Sequence, residues 1–181
     1  MKDLSNLKIA ILVADGFEQS EMVEPREALD VIGIQTTLIS PERDVVKAWQ
    51  HGEWADRFPV DLHLLKANPN DYDALLLPGG VMSPDKLRIT PGAIEFIKKF
   101  VETNKPLAAI CHGPWTLINA QAVKGKKVTS WPSLAVDLKN AGAEWIDQEV
   151  VVDGKLVTSR KPADIPAFNK AFITLLEQKN A

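Results

Sequence analysis

Three short stretches of this 181-residue chain carry groups that could do chemistry together. The run P-L-A-A-I-C-H-G-P-W, from Pro106 to Trp115, stops an apolar segment at Cys111, the only cysteine present. His112 and Gly113 follow, and Pro114 suits the first turn of a helix, where its missing N–H costs nothing. A strand that ends in a nucleophile and passes at once into a helix is the layout of a nucleophile elbow. Its chemistry would be attack by a thiolate on an electrophilic carbon, with the helix N-terminus favouring the anion. The second stretch, Asp15-Gly16-Phe17-Glu18, offers a carboxyl. The third, Pro78-Gly79-Gly80, offers backbone N–H groups that a substrate oxygen can approach closely, as an oxyanion site requires.

Each group also has an ordinary reading. A lone cysteine after an apolar run is often a small buried hydrophobe. Glu18 fits the first turn of a helix, where the dipole favours an acid. Beside Cys111 it would have to be protonated to donate to sulfur, because two adjacent anions repel. Gly79-Gly80 can be a bare turn. His112 is the natural base, yet a histidine next in sequence to its thiol lacks an evident orienting carboxylate, and it reads equally as a surface histidine.

Composition removes several alternatives. The histidines are His51, His63 and His112, so none lies beyond His112, and a papain-like order is excluded. One cysteine and no close histidine pair give no metal-ligand spacing. The Gly-Gly pair does not extend to a phosphate-binding motif, so no cofactor is expected. Net charge is −3, with Lys and Arg scattered, which argues against nucleic acid. A single cysteine suits a reducing cytoplasm. The apolar run Leu7–Ala14 is too short to span a membrane, and acids follow it where a leader would have its cleavage site.

The elements that must position these residues alternate between strand and helix. Leu7–Ala14 reads as a strand buried on both faces, followed by helical spacing at Met22, Val23, Ala28, Leu29 and Ile32, then Gly33 and a strand over Ile34–Ser40. That βαβ unit implies a parallel sheet. Val45–Trp49 and Arg57–Leu64 flank His51-Gly52 as a small hairpin or edge strands. Ala74–Leu77 and Leu107–Ile110 are further core strands, with an amphipathic helix around Ile94, Ile97 and Phe100 between them. Val128–Trp131 is a strand candidate, and Pro132-Ser133 opens a helix through Leu138. Asp153-Gly154 turns a hairpin between Glu149–Val152 and Lys155–Ser159, and a helix over Ala163–Glu177 closes the chain. Residues 1–181 therefore read as one α/β domain. In such sheets the ligand crevice lies beyond the carboxyl ends of the strands, where all three chemical stretches sit if their strands are neighbours. Trp115 and Trp131 are the tryptophans expected to line it, Trp131 as a substrate contact.

On these residues the chain resembles the PfpI family of intracellular cysteine hydrolases, within the glutamine-amidotransferase-like superfamily. A-I-C-H-G-P at 109–114 carries the resemblance, supported by D-G-F-E at 15–18, L-P-G-G at 77–80, A-G-A-E-W at 141–145, V-V-V-D-G at 150–154 and S-R-K-P-A-D at 159–164. The resemblance implies a flavodoxin-like three-layer sandwich with a mainly parallel sheet and Cys111 as nucleophile on the elbow. It implies Glu18 as the carboxyl contacting the sulfur, and N–H groups near Gly80 and His112 as the oxyanion site. His112 would be the base, oriented by Asp85 of a neighbouring subunit, so that the site is complete only in a dimer or hexamer. The chain departs from glutamine amidotransferases in having no downstream histidine. The activity implied is a stress-response protein deglycase, removing glyoxal or methylglyoxal adducts from Lys, Arg and Cys, or an intracellular peptidase. A glyoxalase-type enzyme and a non-catalytic redox-sensing stress protein or chaperone remain as alternatives.

Overall fold

The computed structural model describes residues 3–179; the outermost residues of the 1–181 domain expectation lie outside that range. The first strand, β1 (Lys8–Leu12), is followed by the two-residue β2 (Phe17–Glu18) and helix α1 (Gln19–Val31). Next come β3 (Gln35–Ser40), the hairpin β4 (Val45–Gln50) and β5 (Glu53–Pro59), the short β6 (Leu62–His63), and β7 (Ala74–Leu77). Helices α2 (Met82–Ile89) and α3 (Ala93–Glu102) lead to β8 (Leu107–Ile110) and α4 (Pro114–Asn119). The chain continues through β9 (Lys127–Val128), α5 (Ala135–Asn140) and β10 (Glu144–Trp145). It finishes with the β11 (Val150–Asp153) and β12 (Leu156–Ser159) hairpin and helix α6 (Ile165–Lys179).

Seven strands form the central sheet in the order β11-β12-β8-β7-β1-β3-β6. Every pairing is parallel except β11 with β12, which turn back at Asp153-Gly154. Alternate residues of the strands feed two separate cores, as the two-residue period of a strand requires. Ile9, Ile11, Leu76 and Ile110 pack toward α1 and α6, against Met22, Leu29, Phe168 and Phe172. Ala10, Leu12, Leu75, Leu77 and Ala109 pack toward the other layer, against Leu87, Phe96, Phe100, Leu117 and Leu138. Each such large apolar side chain, fully buried, contributes roughly 1.5–3 kcal/mol before entropy is counted. The result is the three-layer α/β sandwich with a mainly parallel sheet that the alternation of elements implied.

Three local outcomes differ from the sequence reading. Helix α2 is absent from it; Pro84 lies in the first turn of that helix, where proline loses no helical hydrogen bond. The strand expected over Val128–Trp131 stops at Val128, where β9 pairs in parallel with β10 in a separate small sheet. Beyond it the Trp131 N–H is taken by the Cys111 carbonyl at 2.9 Å and Pro132 opens a 3₁₀ turn. The third concerns the hairpin at His51-Gly52, whose second strand is Glu53–Pro59 rather than Arg57–Leu64, and whose β4 pairs with β2 to make a three-stranded sheet, β2-β4-β5, outside the central one. His51 and Gly52 both have positive φ, 54° and 83°, the pattern of a tight hairpin turn. Among the described residues no helix is long and apolar enough to cross a membrane.

Candidate active site

Strands β8, β7 and β1 are adjacent at the centre of the sheet, so their carboxyl ends deliver Cys111, Gly79-Gly80 and the Asp15–Glu18 segment to one place. Cys111 has φ = 61°, a left-handed conformation that costs a non-glycine residue of order 1 kcal/mol or more. Neighbouring strands and turns hold it there. The Ser159 carbonyl accepts from its N–H at 3.0 Å, and its own carbonyl accepts from Trp131 N–H at 2.9 Å. Gly113 is indispensable to the bend: a Cβ at that position would lie 2.4 Å from the Leu77 carbonyl oxygen.

A cavity of about 590 Å³ opens above the elbow. Cys111, His112, Gly80, Glu18, Glu21 and Trp131 all line it. Cys111 itself is only 7% exposed. The imidazole of His112 brings Nδ1 to 3.2 Å from Cys111 Sγ. That ring is packed between two indoles, stacked on Trp131 at 6.0 Å between centroids and tilted against Trp115 at 5.8 Å. Trp131 thus occupies the crevice as expected. Trp115 does not line it; it backs His112, with Nε1 donating to Asp137 Oδ2 at 2.9 Å and the Arg88 guanidinium over its face.

The carboxyl placed against the sulfur is Glu21, not Glu18. Glu21 is fully buried in α1 and acts on the Cys111 thiol, while its Oε2 accepts from the Gly79 N–H at 2.9 Å and its Oε1 has no hydrogen-bond partner among the described residues. Glu18 lies just ahead of α1, in β2, and faces the cavity beside the hairpin. A signal for Glu21 exists in the sequence: Glu21, Pro25 and Leu29 follow at i, i+4 and i+8 on the buried face of α1. The hairpin residues Trp49, Gln50 and His51, which also line the cavity, carry no comparable signal.

The two glycines do different things. The Gly79 N–H is committed to Glu21, which removes it from the expected oxyanion site. The N–H groups of Gly80 and His112 are aimed at the sulfur instead. Gly79 is needed for space, because a Cβ there would lie 2.5 Å from Glu21 Oε2, 2.6 Å from Cys111 Cβ and 2.8 Å from the Ile110 carbonyl oxygen. Gly79→Ala is therefore expected to cost at least about 1–3 kcal/mol by overpacking. It should also slow iodoacetamide alkylation of Cys111 by displacing the thiol; thermal melting and the alkylation rate measure both.

Electrostatics give the resting state. Burial is the main cause that lifts the Glu21 carboxyl from 4.5 to about 8, opposed by the Gly79 N–H, so Glu21 is protonated at neutral pH. Burial, then the charge of an ionised Glu21, pushes the Cys111 thiol up, while the Gly80 and His112 N–H groups pull it down. The elbow therefore does not hold a free thiolate on the strength of a helix terminus, as the sequence reading had it. Burial lowers the His112 pKa, leaving a neutral imidazole in contact with the thiol. This is a thiol with a base at hand to remove its proton as it attacks. Asp85 is exposed on α2 and does not line the cavity of its own chain.

Comparisons with known proteins place these features in context. The family model described as the DJ-1/PfpI family matches residues 7–175. General stress protein 18 of Bacillus subtilis is 45% identical over 172 residues, covering 94% of this chain and 98% of that protein. A Thermococcus kodakarensis protein named Deglycase TK1284 is 43% identical over 170 residues, covering 94% of this chain and 99% of the other. Among solved structures, a two-domain protein from Anabaena variabilis with DJ-1/ThiJ/PfpI-like and ferritin-like domains superposes with a TM-score of 0.88 at 34% identity. The match covers 95% of this chain and 48% of that longer one.

Proposed function

Because the chain belongs to the DJ-1/PfpI family, we propose that it is a cysteine-dependent protein deglycase that removes early glyoxal and methylglyoxal adducts from Lys, Arg and Cys side chains. The observation that carries this reading is the buried Cys111 thiol, with a neutral imidazole at 3.2 Å and two backbone N–H groups aimed at it.

For a methylglyoxal adduct on an amine, Cys111 Sγ bonds to the carbinol carbon as its proton passes to His112. The carbon–nitrogen bond breaks, and His112 returns that proton to the departing amine. The hemithioacetal left on Cys111 isomerises as His112 moves a proton from the carbinol carbon to the neighbouring one through an enediol, giving a thioester. Water then releases lactate and the free thiol. Net, adduct plus water becomes amine plus lactate, with no external oxidant. The N–H groups of Gly80 and His112 steady the oxygen that gains charge. Glu21, neutral at the working pH, adds no second anion beside the sulfur.

The same site argues for catalysis over redox sensing. A sensor thiol is exposed and ionised, whereas Cys111 is buried with a raised pKa and paired with a base. The test is a peptide panel carrying methylglyoxal on Arg, Lys or Cys. Stoichiometric lactate and unmodified peptide are expected; cleavage of the peptide backbone without lactate would make the protein a peptidase.

Among the described residues the hydrogen bond of the His112 ring is the one from Nδ1 to Cys111 Sγ, and no carboxylate meets its Nε2; this supports completion of the site by Asp85 of a neighbouring subunit in a dimer or hexamer. Asp85→Ala should lower kcat/KM by roughly 10- to 100-fold, as loss of a group that orients a base does. Thermal stability of the subunit should stay within about 0.5 kcal/mol, since Asp85 is exposed. Co-assembly of Asp85→Ala with Cys111→Ser subunits should restore part of the activity if the acid acts across an interface.

A further inference from the structure

With Glu21 assigned to the sulfur, Glu18 has no part in the reaction steps, yet its placement is costly. Burial raises its pKa, and the only favourable charge acting on it is that of His51. Among the described residues it forms no ion pair, and no lysine or arginine lines the cavity it faces. Trp49, its partner in the β2–β4 ladder, lines the same cavity, as do Trp131 and Met82. Apart from the fully buried Glu21, the cavity thus holds one carboxyl, Glu18, with two indoles and no lysine or arginine. Anionic ligands are disfavoured there, and a flat cation fits.

We propose that Glu18 is a specificity-determining residue that receives the guanidinium of an arginine-borne adduct, with the cavity indoles covering its faces. A guanidinium forms two hydrogen bonds to a carboxylate and stacks on aromatic rings, which an ammonium point charge does less well. It also outcompetes a single imidazole for the same carboxylate. An adduct on arginine keeps its guanidinium charge, whereas one on cysteine brings none. The enzyme therefore favours arginine adducts over cysteine adducts. This assignment rests on the reading of Cys111 as the reactive group at the base of the cavity.

The test measures protection of Cys111 from iodoacetamide by N-acetylargininamide, with its neutral isostere N-acetylcitrullinamide alongside. Argininamide should protect the wild-type protein, and the citrulline compound should need at least about tenfold more. In Glu18→Gln, the half-protecting concentration of argininamide should rise at least about tenfold. The ratio of kcat/KM for arginine over cysteine adducts should fall by a similar factor. The backbone N–H of Glu18 donates to the Gly79 carbonyl and is unaffected by the substitution, so the fold is retained; Glu18→Asp serves as a second variant with partial protection. Equal protection by both compounds, equal protection of wild type and Glu18→Gln, or no protection at all would overturn the proposal. Protection without turnover of any adduct would leave this subsite standing and remove the deglycase reading instead.

Discussion

Cys111→Ser lowers kcat/KM on methylglyoxal-modified peptides by on the order of 10⁴-fold or more, the scale seen when a covalent nucleophile is removed. The substitution is small and isolates the chemistry. Serine fits the same left-handed backbone, and its hydroxyl can still meet His112 Nδ1, so stability should change by less than about 1 kcal/mol. The Gly80 and His112 N–H groups and the cavity walls remain, and adduct binding should survive. What is lost is the nucleophile, because a neutral imidazole cannot deprotonate an alcohol here without the orienting machinery built for serine enzymes. Lactate release, followed with the variant purified in parallel to expose any contaminating activity, measures the effect. Unchanged turnover would sink the assignment of Cys111.

Glu21→Ala should be the most damaging change to the framework of the site, costing roughly 2–5 kcal/mol. It leaves the buried Gly79 N–H without an acceptor, about 1–3 kcal/mol, and opens a cavity under the elbow. Glu21→Gln restores both the acceptor and the volume, so it should recover most of the loss. The glutamine variant also isolates a pH effect. The Glu21 pKa is raised by folding from 4.5 to about 8, so the native state binds more protons than the unfolded chain between those values. Stability from this group is fully present below about pH 4.5 and is lost as pH rises through about 8. Wild type should therefore weaken relative to Glu21→Gln by a few kcal/mol between pH 5 and pH 8. Urea unfolding of both proteins at the two pH values measures it; parallel curves would show that Glu21 is already ionised in the native protein.

Local sequence determined the elbow. Four apolar residues, a cysteine, then Gly113 and Pro114 specify a buried strand, a sharp turn and a helix start, and each signal acts within a few residues. The same locality made the alternating elements, the hairpin at Asp153-Gly154 and the parallel sheet legible, since hydrophobic period and turn chemistry are short-range properties. The convergence of three strand ends followed once their order was known to be β8-β7-β1.

The choice between Glu18 and Glu21 needed tertiary structure. Both lie near the start of α1, and which one turns under the sheet depends on how Met22 and Leu29 seat against the core strands. The ionisation states were decided the same way: burial of Cys111, Glu21 and His112 reverses the expectation of a ready thiolate, and burial is a property of the whole packed chain. The cavity wall from Trp49 to His51 comes from a hairpin that pairs outside the main sheet, a long-range docking that no local pattern encodes. Residue types thus pointed to thiol chemistry, and packing decided which carboxyl lies against the sulfur and which one faces the cavity.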